Sequence, residues 1–536
     1  LRIRLLHRRR PRREARIIAI RAQWLAATQR AFAHRARWYD ARLPGIPTMN
    51  AARQPAATLT EGAIGKTLFY FSLPILAGNV LQSLNGSVNA IWVGRFLGEA
   101  ALSATSNANT ILFFLLGTVF GVGMAATILV GQSIGAKNLD AAKRVVGTSA
   151  SFFALVSTAV AALGFFGAPA LLVWMQTPAD ALPLAVSYLR IIFLAMPAMY
   201  MYAFVMMCLR GAGDAKTPFR FLLLSVGLDI ALNPLFIFGA GPIPPLGIAG
   251  SATATLVANV VSLVAILVSL YRRKHFLWLH ADEMRYLRID TTILRSLISK
   301  GVPMGLQMIV ISASMIAMIS LVNRFGSQTT AAFGAAMQLW NYIQMPAFAI
   351  GAAASSMAAQ NVGAGRWDRV HRTAMAGIVI NTLLSGAAIA LIWLFERAAF
   401  GVFLAGDGGA VDIAVHMNAI VIWAFLFFGV SMVLSGVVRS TGAVVPPLII
   451  LFIAFWVVRI PFAYGLVGRY GADAIWWSYP LGSIASLLLT GAYYRYGNWR
   501  SAHMLSARPA APERTVATAP AAAIEAEAAT LPDETR

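Results

Sequence analysis

One acidic residue stands in the middle of an otherwise apolar run. The stretch FLLLSVGLDIALNPLFIFG, residues 221–239, holds Asp229 near its centre and Asn233 four residues on, just before Pro234. At that spacing the two side chains share one helical face. The proline has no N–H, which frees a backbone carbonyl one turn earlier. A second polar stripe lies in LQSLNGSVNAIWVG, residues 81–94, where Gln82, Asn85 and Asn89 are three and four apart. Two chemistries suit such a set. A carboxyl taken out of water favours its neutral form, so Asp229 could load and release a proton. The same oxygens would suit Na⁺, a hard cation that prefers oxygen ligands. The plainer alternative is an Asp that only hydrogen-bonds a neighbouring helix. An acid at bilayer depth costs at least ~2.5–3.5 kcal/mol, and such residues are functional by default.

The elements that carry these residues are membrane spans. Of 536 residues, 58% are hydrophobic and only 12% charged, and the mean hydropathy is +0.69. A soluble chain carries about twice that charge fraction. Twelve apolar segments, each near the ~20 residues a helix needs to cross a bilayer, centre on 68–93, 108–131, 145–168, 186–208, 219–239, 248–270, 301–323, 333–357, 374–395, 413–437, 445–466 and 474–494. The fold class is therefore all-α and polytopic. The expected domains are a basic extension at 1–60 outside the fold, a six-helix lobe at 61–270 and a second at 301–496. Between them runs a linker at 271–300, with an amphipathic interfacial helix, and residues 497–536 read as a disordered tail.

Charge sets the orientation. Half of the net +22 comes from residues 1–48, where 13 arginines face only Glu14 and Asp40. That stretch is read as an upstream extension rather than a nucleic-acid-binding arm, since Met49 opens an ordinary lead-in to the first span. Elsewhere, alternate loops hold Lys137, Lys143 and Arg144; Arg210, Lys216 and Arg220; seven basic residues from Arg272 to Lys300; Arg366, Arg369 and Arg372; and Arg439. The intervening loops hold little beyond Arg95, Arg324, Arg397 and Arg469. Lys and Arg accumulate on the cytoplasmic side, so both termini are expected there.

The halves are also copies. A shift of 228–229 residues places Pro74 on Pro303, Arg95 on Arg324, Gly135 on Gly363, Asp140 on Asp368, Arg210 on Arg439, Gly213 on Gly442 and Pro218 on Pro447. Matches at one offset and at equivalent span boundaries mark an internal repeat. Two parallel six-helix repeats suit a transporter that rocks two lobes about a central cavity.

VGRFLGEAALSA, VGQSIGAKN, LRGAGDAKTPFR and GIAGSATATLVANV, with their echoes AQNVGAGRWDRVHR and VRSTGAVVPP, together resemble the multidrug and toxic compound extrusion (MATE) family, in particular its bacterial DinF-type branch. The resemblance covers about Glu61 to Tyr496. It implies a V-shaped pair of lobes in the inner membrane of a bacterium, working as a monomer. It also implies export of cationic, often aromatic compounds in exchange for H⁺ or Na⁺. Relatives commonly carry an Asp where this chain has Asn89, and in the fifth span an Asn then an Asp. Here Asp229 comes first and Asn233 second, so the cluster of Asn85, Asn89, Asp229, Asn233 and Thr255 holds a single acid. A flippase for a lipid-linked precursor, as in distant members of the superfamily, is the alternative; it would favour a cationic cavity.

For the substrate cavity, Gln82, Tyr200, Tyr202, Trp340, Gln344, Trp456 and Arg459 are the candidates, aromatic rings being able to stack on planar cations. Ordinary packing is the simpler reading for any one ring. For Arg459, in FWVVRIPFAY, it is snorkelling to the nearer interface or pairing with a helix end. Glu396 reads as solvated, and Gln307 as a helix-to-helix hydrogen bonder. GAIGKT at 62–67 lacks the first glycine of a phosphate loop, since residue 60 is threonine, and runs straight into a span. Cys208 is the single cysteine, which excludes an intrachain disulfide and a structural zinc cluster. The chain reads as an ion-coupled transporter and not an enzyme, with no cofactor, no nucleic-acid partner and no structural metal.

Overall fold

The computed structural model describes residues 59–239, 244–404 and 409–505, so the basic segment and most of the tail lie outside the described residues. Every expected span falls on helix. The first half is α1 (Ile64–Leu97), α2 (Glu99–Gly135), α3 (Leu139–Trp174), α4 (Leu182–Gly211), α5 (Lys216–Phe238) and α6 (Ile248–Arg272). The second opens with α7 (Thr291–Val322), α8 (Ser327–Gly363) and α9 (Trp367–Leu394), followed by a short α10 (Glu396–Phe403) that the sequence reading did not anticipate. Its tenth span is a pair, α11 (Gly409–Val421) and α12 (Ala424–Arg439), bent by 45°. The eleventh runs α13 (Val445–Phe452), a π-helical turn (Ile453–Arg459) and α14 (Ile460–Tyr470); the twelfth is α15 (Asp473–Tyr496).

Among the described residues, eight helices are long and apolar enough to cross a membrane by themselves, and the bent pair makes a ninth. The shortfall has a physical cause in α8. Its GAAASSMAAQ stretch is buried against other helices, so it meets protein instead of lipid, and small or polar residues are tolerated there.

The repeat is visible in the backbone. Gly98 and Gly326, 228 residues apart, take φ of 87° and 90° between the first two helices of each half. Gly213 and Gly442, 229 apart, take 92° and 107° after the fourth. These are left-handed positions where a Cβ is strained.

The copies meet along a symmetric seam at the end of the bundle that carries the basic loops. Gln132 Nε2 donates to the carbonyl of Ser440 at 2.7 Å, and Gln360 Nε2 to the carbonyl of Gly211 at 2.9 Å. Those carbonyls lie at the ends of α12 and α4, where a helix leaves its acceptors open. Each repeat thus caps the other. Close backbone approach makes this possible: a Cβ on Gly135 would stand 1.8 Å from the Gln360 carbonyl oxygen, and one on Gly363 would stand 1.9 Å from that of Gln132. Farther along, Gly121 meets Gly301 and Gly305 in the same way. Helix α1 is shared between the halves. Leu68, Phe71 and Ile75 pack in one core with Ile350, Ala353 and Met357 of α8 and with Val433 and Val437 of α12.

Three expectations are corrected. Leu59 and Thr60 are buried parts of the fold, not extension: Leu59 N donates to Gln360 Oε1 at 2.9 Å, and Arg366 donates to the Thr60 carbonyl. The linker holds only a 3₁₀ segment, Ala281–Leu287, in place of an interfacial helix, and α7 already begins at Thr291. Asp290 caps α7 through Thr292 N and Ile293 N, while Lys143 and Tyr286 tie the segment to α3 by binding Glu283 and Asp140. Burial opposes the charge on Glu283, but hydrogen bonds from Lys143 and His280 outweigh it and hold its carboxyl at about 2. The tail, finally, starts docked. Trp499 and Met504 are buried, Thr441 donates to the Trp499 carbonyl, and Ser296 donates to that of Met504.

A substitution at the seam tests its tightness. Gly135→Ala should destabilise the fold by about 1–3 kcal/mol through overpacking, read as a lower unfolding temperature of the purified protein in detergent. Gly65→Ala, whose Cβ would meet nothing within 4 Å, should leave that temperature unchanged or slightly raised. Equal behaviour of the two would mean that the seam tolerates separation.

Candidate functional site

Three helices bring the amide stripe, the acid and the hydroxyl together. Asp229 of α5 is buried, as is Asn233 one turn on. Asn85 and Asn89 of α1 both donate through Nδ2 to Asp229 Oδ2, at 2.9 and 2.8 Å. Thr255 of α6 donates to Oδ1 at 3.0 Å. Asn233 Nδ2 bridges the Asn89 Oδ1 at 3.0 Å and the Asp229 backbone carbonyl at 2.8 Å. The five residues expected to form the coupling cluster are thus one hydrogen-bonded unit.

Every side-chain partner of the carboxylate is a donor, the arrangement that an ionised, acceptor-only carboxylate calls for. No Lys, Arg or His pairs with Asp229 among the described ion pairs. Two acceptors are left over: Asn85 Oδ1 and Asn233 Oδ1 are buried without a hydrogen-bond partner. The site therefore stores spare oxygen around its one acid. Tyr188 of α4, which the sequence reading passed over, is buried near enough to the carboxylate to feel its charge. Only the packing of α4 against its neighbouring helices could have revealed it.

Gln82 does not join the cluster. It is exposed and makes no hydrogen bond to a described residue, because a shared helical face fixes direction and not what stands opposite. The other cavity candidates divide. Tyr200, Tyr202 and Trp340 are buried in the packed cores of their lobes, which makes them packing residues in this conformation. Trp340 Nε1 donates to Asn418, which in turn donates to Glu396, so that acid is tied inward instead of solvated. Gln344 Nε2 reaches only the carbonyl of its own preceding turn, at 3.4 Å. Half-buried Trp456 donates to the Val310 carbonyl and stacks on Phe452. Gln307 accepts from Arg439 at 2.8 Å, the expected helix-to-helix bond. Arg459 is buried at 7% exposure, so it does not snorkel.

The family model MatE matches residues 74–235 and again 303–465. The chain belongs to the MatE family. Its two matched segments start 229 residues apart and end 230 apart, so the duplication is a property of the family's fold. Over 452 residues this MatE chain is 36% identical to the probable multidrug resistance protein YoeA of Bacillus subtilis, covering 84% of this chain and 97% of that one. It is 31% identical to YpnP of the same organism, over 83% and 98% of the two chains. A solved MATE structure in complex with MaD3S superposes with a TM-score of 0.75 at 22% identity, over 82% of this chain and 96% of that one. The twelve-helix, two-lobe architecture is thus the MATE fold.

The geometry predicts coupling between Thr255 and the acid. A hydrogen bond to a charged group contributes about 1.5–3 kcal/mol, so Thr255→Val should destabilise the protein by roughly that amount in thermal unfolding. In an Asp229→Asn background the same change should cost much less, giving a non-additive double-mutant cycle. Additive effects would show that the hydroxyl and the carboxylate do not act together.

Proposed function

We propose that this MATE protein is a multidrug exporter of a bacterial inner membrane that exchanges an aromatic, positively charged compound for H⁺, or for Na⁺, through the single carboxylate of Asp229. The names of its relatives support drug export. The observation that carries the coupling is the pair of orphaned oxygens beside a carboxylate already held by three donors. Protonating Asp229 Oδ2 sets a hydrogen against the Asn85 and Asn89 N–H groups. Turning the Asn85 amide by half a revolution then offers its unpartnered oxygen as the acceptor. A Na⁺ ion would draw on the same oxygens. Either ion changes the bonds between α1 and α5.

Helix α1 can transmit that change. Its upper part holds the acid through Asn85 and Asn89, while its lower part packs in the core shared with α8 and α12. Pro74, inside that lower part, removes one backbone hydrogen bond and loosens the helix there. The charged carboxylate favours the cation-loaded state, and its neutralisation releases the cargo as the lobes rock about the seam.

Accumulation of a fluorescent cation in everted vesicles, where export from the cytoplasmic face runs into the lumen, tests this. An imposed ΔpH or Na⁺ gradient should drive transport, and whichever does so names the ion. Asp229→Asn should abolish driven efflux, a loss of at least ~100-fold for a group that must change charge in each cycle, with normal amounts of protein in the membrane. Wild-type efflux by that variant would refute the proposal.

A further inference from the structure

The second lobe holds an intramembrane charge that the coupling cluster does not use. Arg459 ends the π-helical turn of the eleventh span. Its guanidinium lies 3.4 Å from the centre of the Tyr479 ring and 5.5 Å from that of Phe455. Gly482 of α15 makes room for its stem: a Cβ there would stand 3.1 Å from Arg459 Cβ. Stacking occupies the face of the guanidinium and leaves its N–H edge, the part that grips oxyanions in a two-pronged fashion. That edge is unmatched, since Nε and Nη2 are buried without a hydrogen-bond partner. No carboxylate pairs with Arg459 among the described residues. A buried cation without an anion is costly, and π-turns inside α-helices gather at functional sites.

The repeat gives this position a meaning. A π-turn inserts one residue into a helix, and the second matched segment is one residue longer than the first. The ends of the matched segments are 230 residues apart, the same separation as that of Arg459 from Asp229. The depths agree: Asp229 is the fourteenth residue of α5 counted from Lys216, and Arg459 the fifteenth of its span counted from Val445. The two lobes therefore present opposite charges at equivalent heights.

We propose that Arg459 is the second-lobe subsite for an anionic group of the cargo, a carboxylate or sulfonate on an aromatic molecule. The preferred substrates then carry an acid as well as a cationic centre. This rests on the transport reading above and narrows its substrate class. Tyr479 holds the guanidinium flat, and the substrate's oxyanion supplies the acceptors that the chain lacks.

The test uses one rhodamine ring system in two forms, the free carboxylate zwitterion and its ethyl ester cation. Binding is read by fluorescence polarisation to the full-length protein in phosphatidylcholine vesicles, which contain no anionic lipid. The unsubstituted protein should bind the zwitterion more tightly. Arg459→Met should weaken zwitterion binding at least about tenfold, the loss of one charge-assisted hydrogen bond, while changing ester binding less than about twofold. Arg459→Lys should restore part of the loss. Replacing an unpaired buried charge by an apolar side chain of similar length tends to preserve stability, so the variant is expected to fold. Equal affinity of the unsubstituted protein for both dyes would overturn the proposal, as would an equal loss of both in Arg459→Met. If the preference for the zwitterion persists in Asp229→Asn while driven efflux vanishes, subsite and coupling are both supported as separate functions. If the preference holds but no gradient drives efflux, the subsite stands and the coupling reading alone fails.

Discussion

In hydrocarbon a polar group has no water to fall back on, so each must find its partner within the protein or remain at a cost of several kcal/mol. Much of this molecule follows from that constraint. Asp229 is tolerable because two helices, α1 and α6, turn donors toward it, and turning those donors inward fixes how they pack on α5. The carbonyls at the ends of α4 and α12 are tolerable because amides from α8 and α2 reach across to cap them. Among the groups that escape the constraint are some beside the intramembrane charges. Asn85 Oδ1 and Asn233 Oδ1 surround the acid, and the Arg459 edge lies in the opposite lobe.

Duplication supplies the frame in which these groups act. At the basic end the copies are nearly symmetric: paired glycines, paired glutamines and paired helix-end carbonyls interlock with the same geometry in both directions. At mid-membrane the symmetry is broken. One lobe keeps a carboxylate in a hydrogen-bonded cluster of amides and a hydroxyl, while the other keeps a guanidinium on an aromatic ring. The seam is thus symmetric while the mid-membrane chemistry of the two copies differs.

Twelve spans, a twofold internal copy, a MATE fold and an acid at the centre of the fifth span were all legible in the chain. Each is written in local pattern: run length, glycine and proline at fixed offsets, and one charge where hydrocarbon forbids it. Spacing put Asn233 on the face of that acid and Asn85 on the face of Asn89, while the resemblance to the family implied that Asn89 and Thr255 belong to the same cluster. Neither periodicity nor residue type could say what stands opposite Gln82, or whether Tyr200, Tyr202 and Trp340 line a cavity or pack, since neither says which neighbour covers a side chain.

Sequence by itself therefore determined the membrane, the repeat and the presence of one titratable group at depth, because apolar length and spacing are properties of the chain alone. Tertiary structure decided the rest. It placed the lower part of α1 in a core shared with the second half, drew residues 59–60 and 499–504 into the packed fold, and set Arg459 flat on Tyr479. These outcomes depend on contacts between residues far apart in the chain, and on a π-turn that shifts the register by one residue. No local pattern encodes which helix stands opposite another, so the pairing of charge with partner had to come from packing.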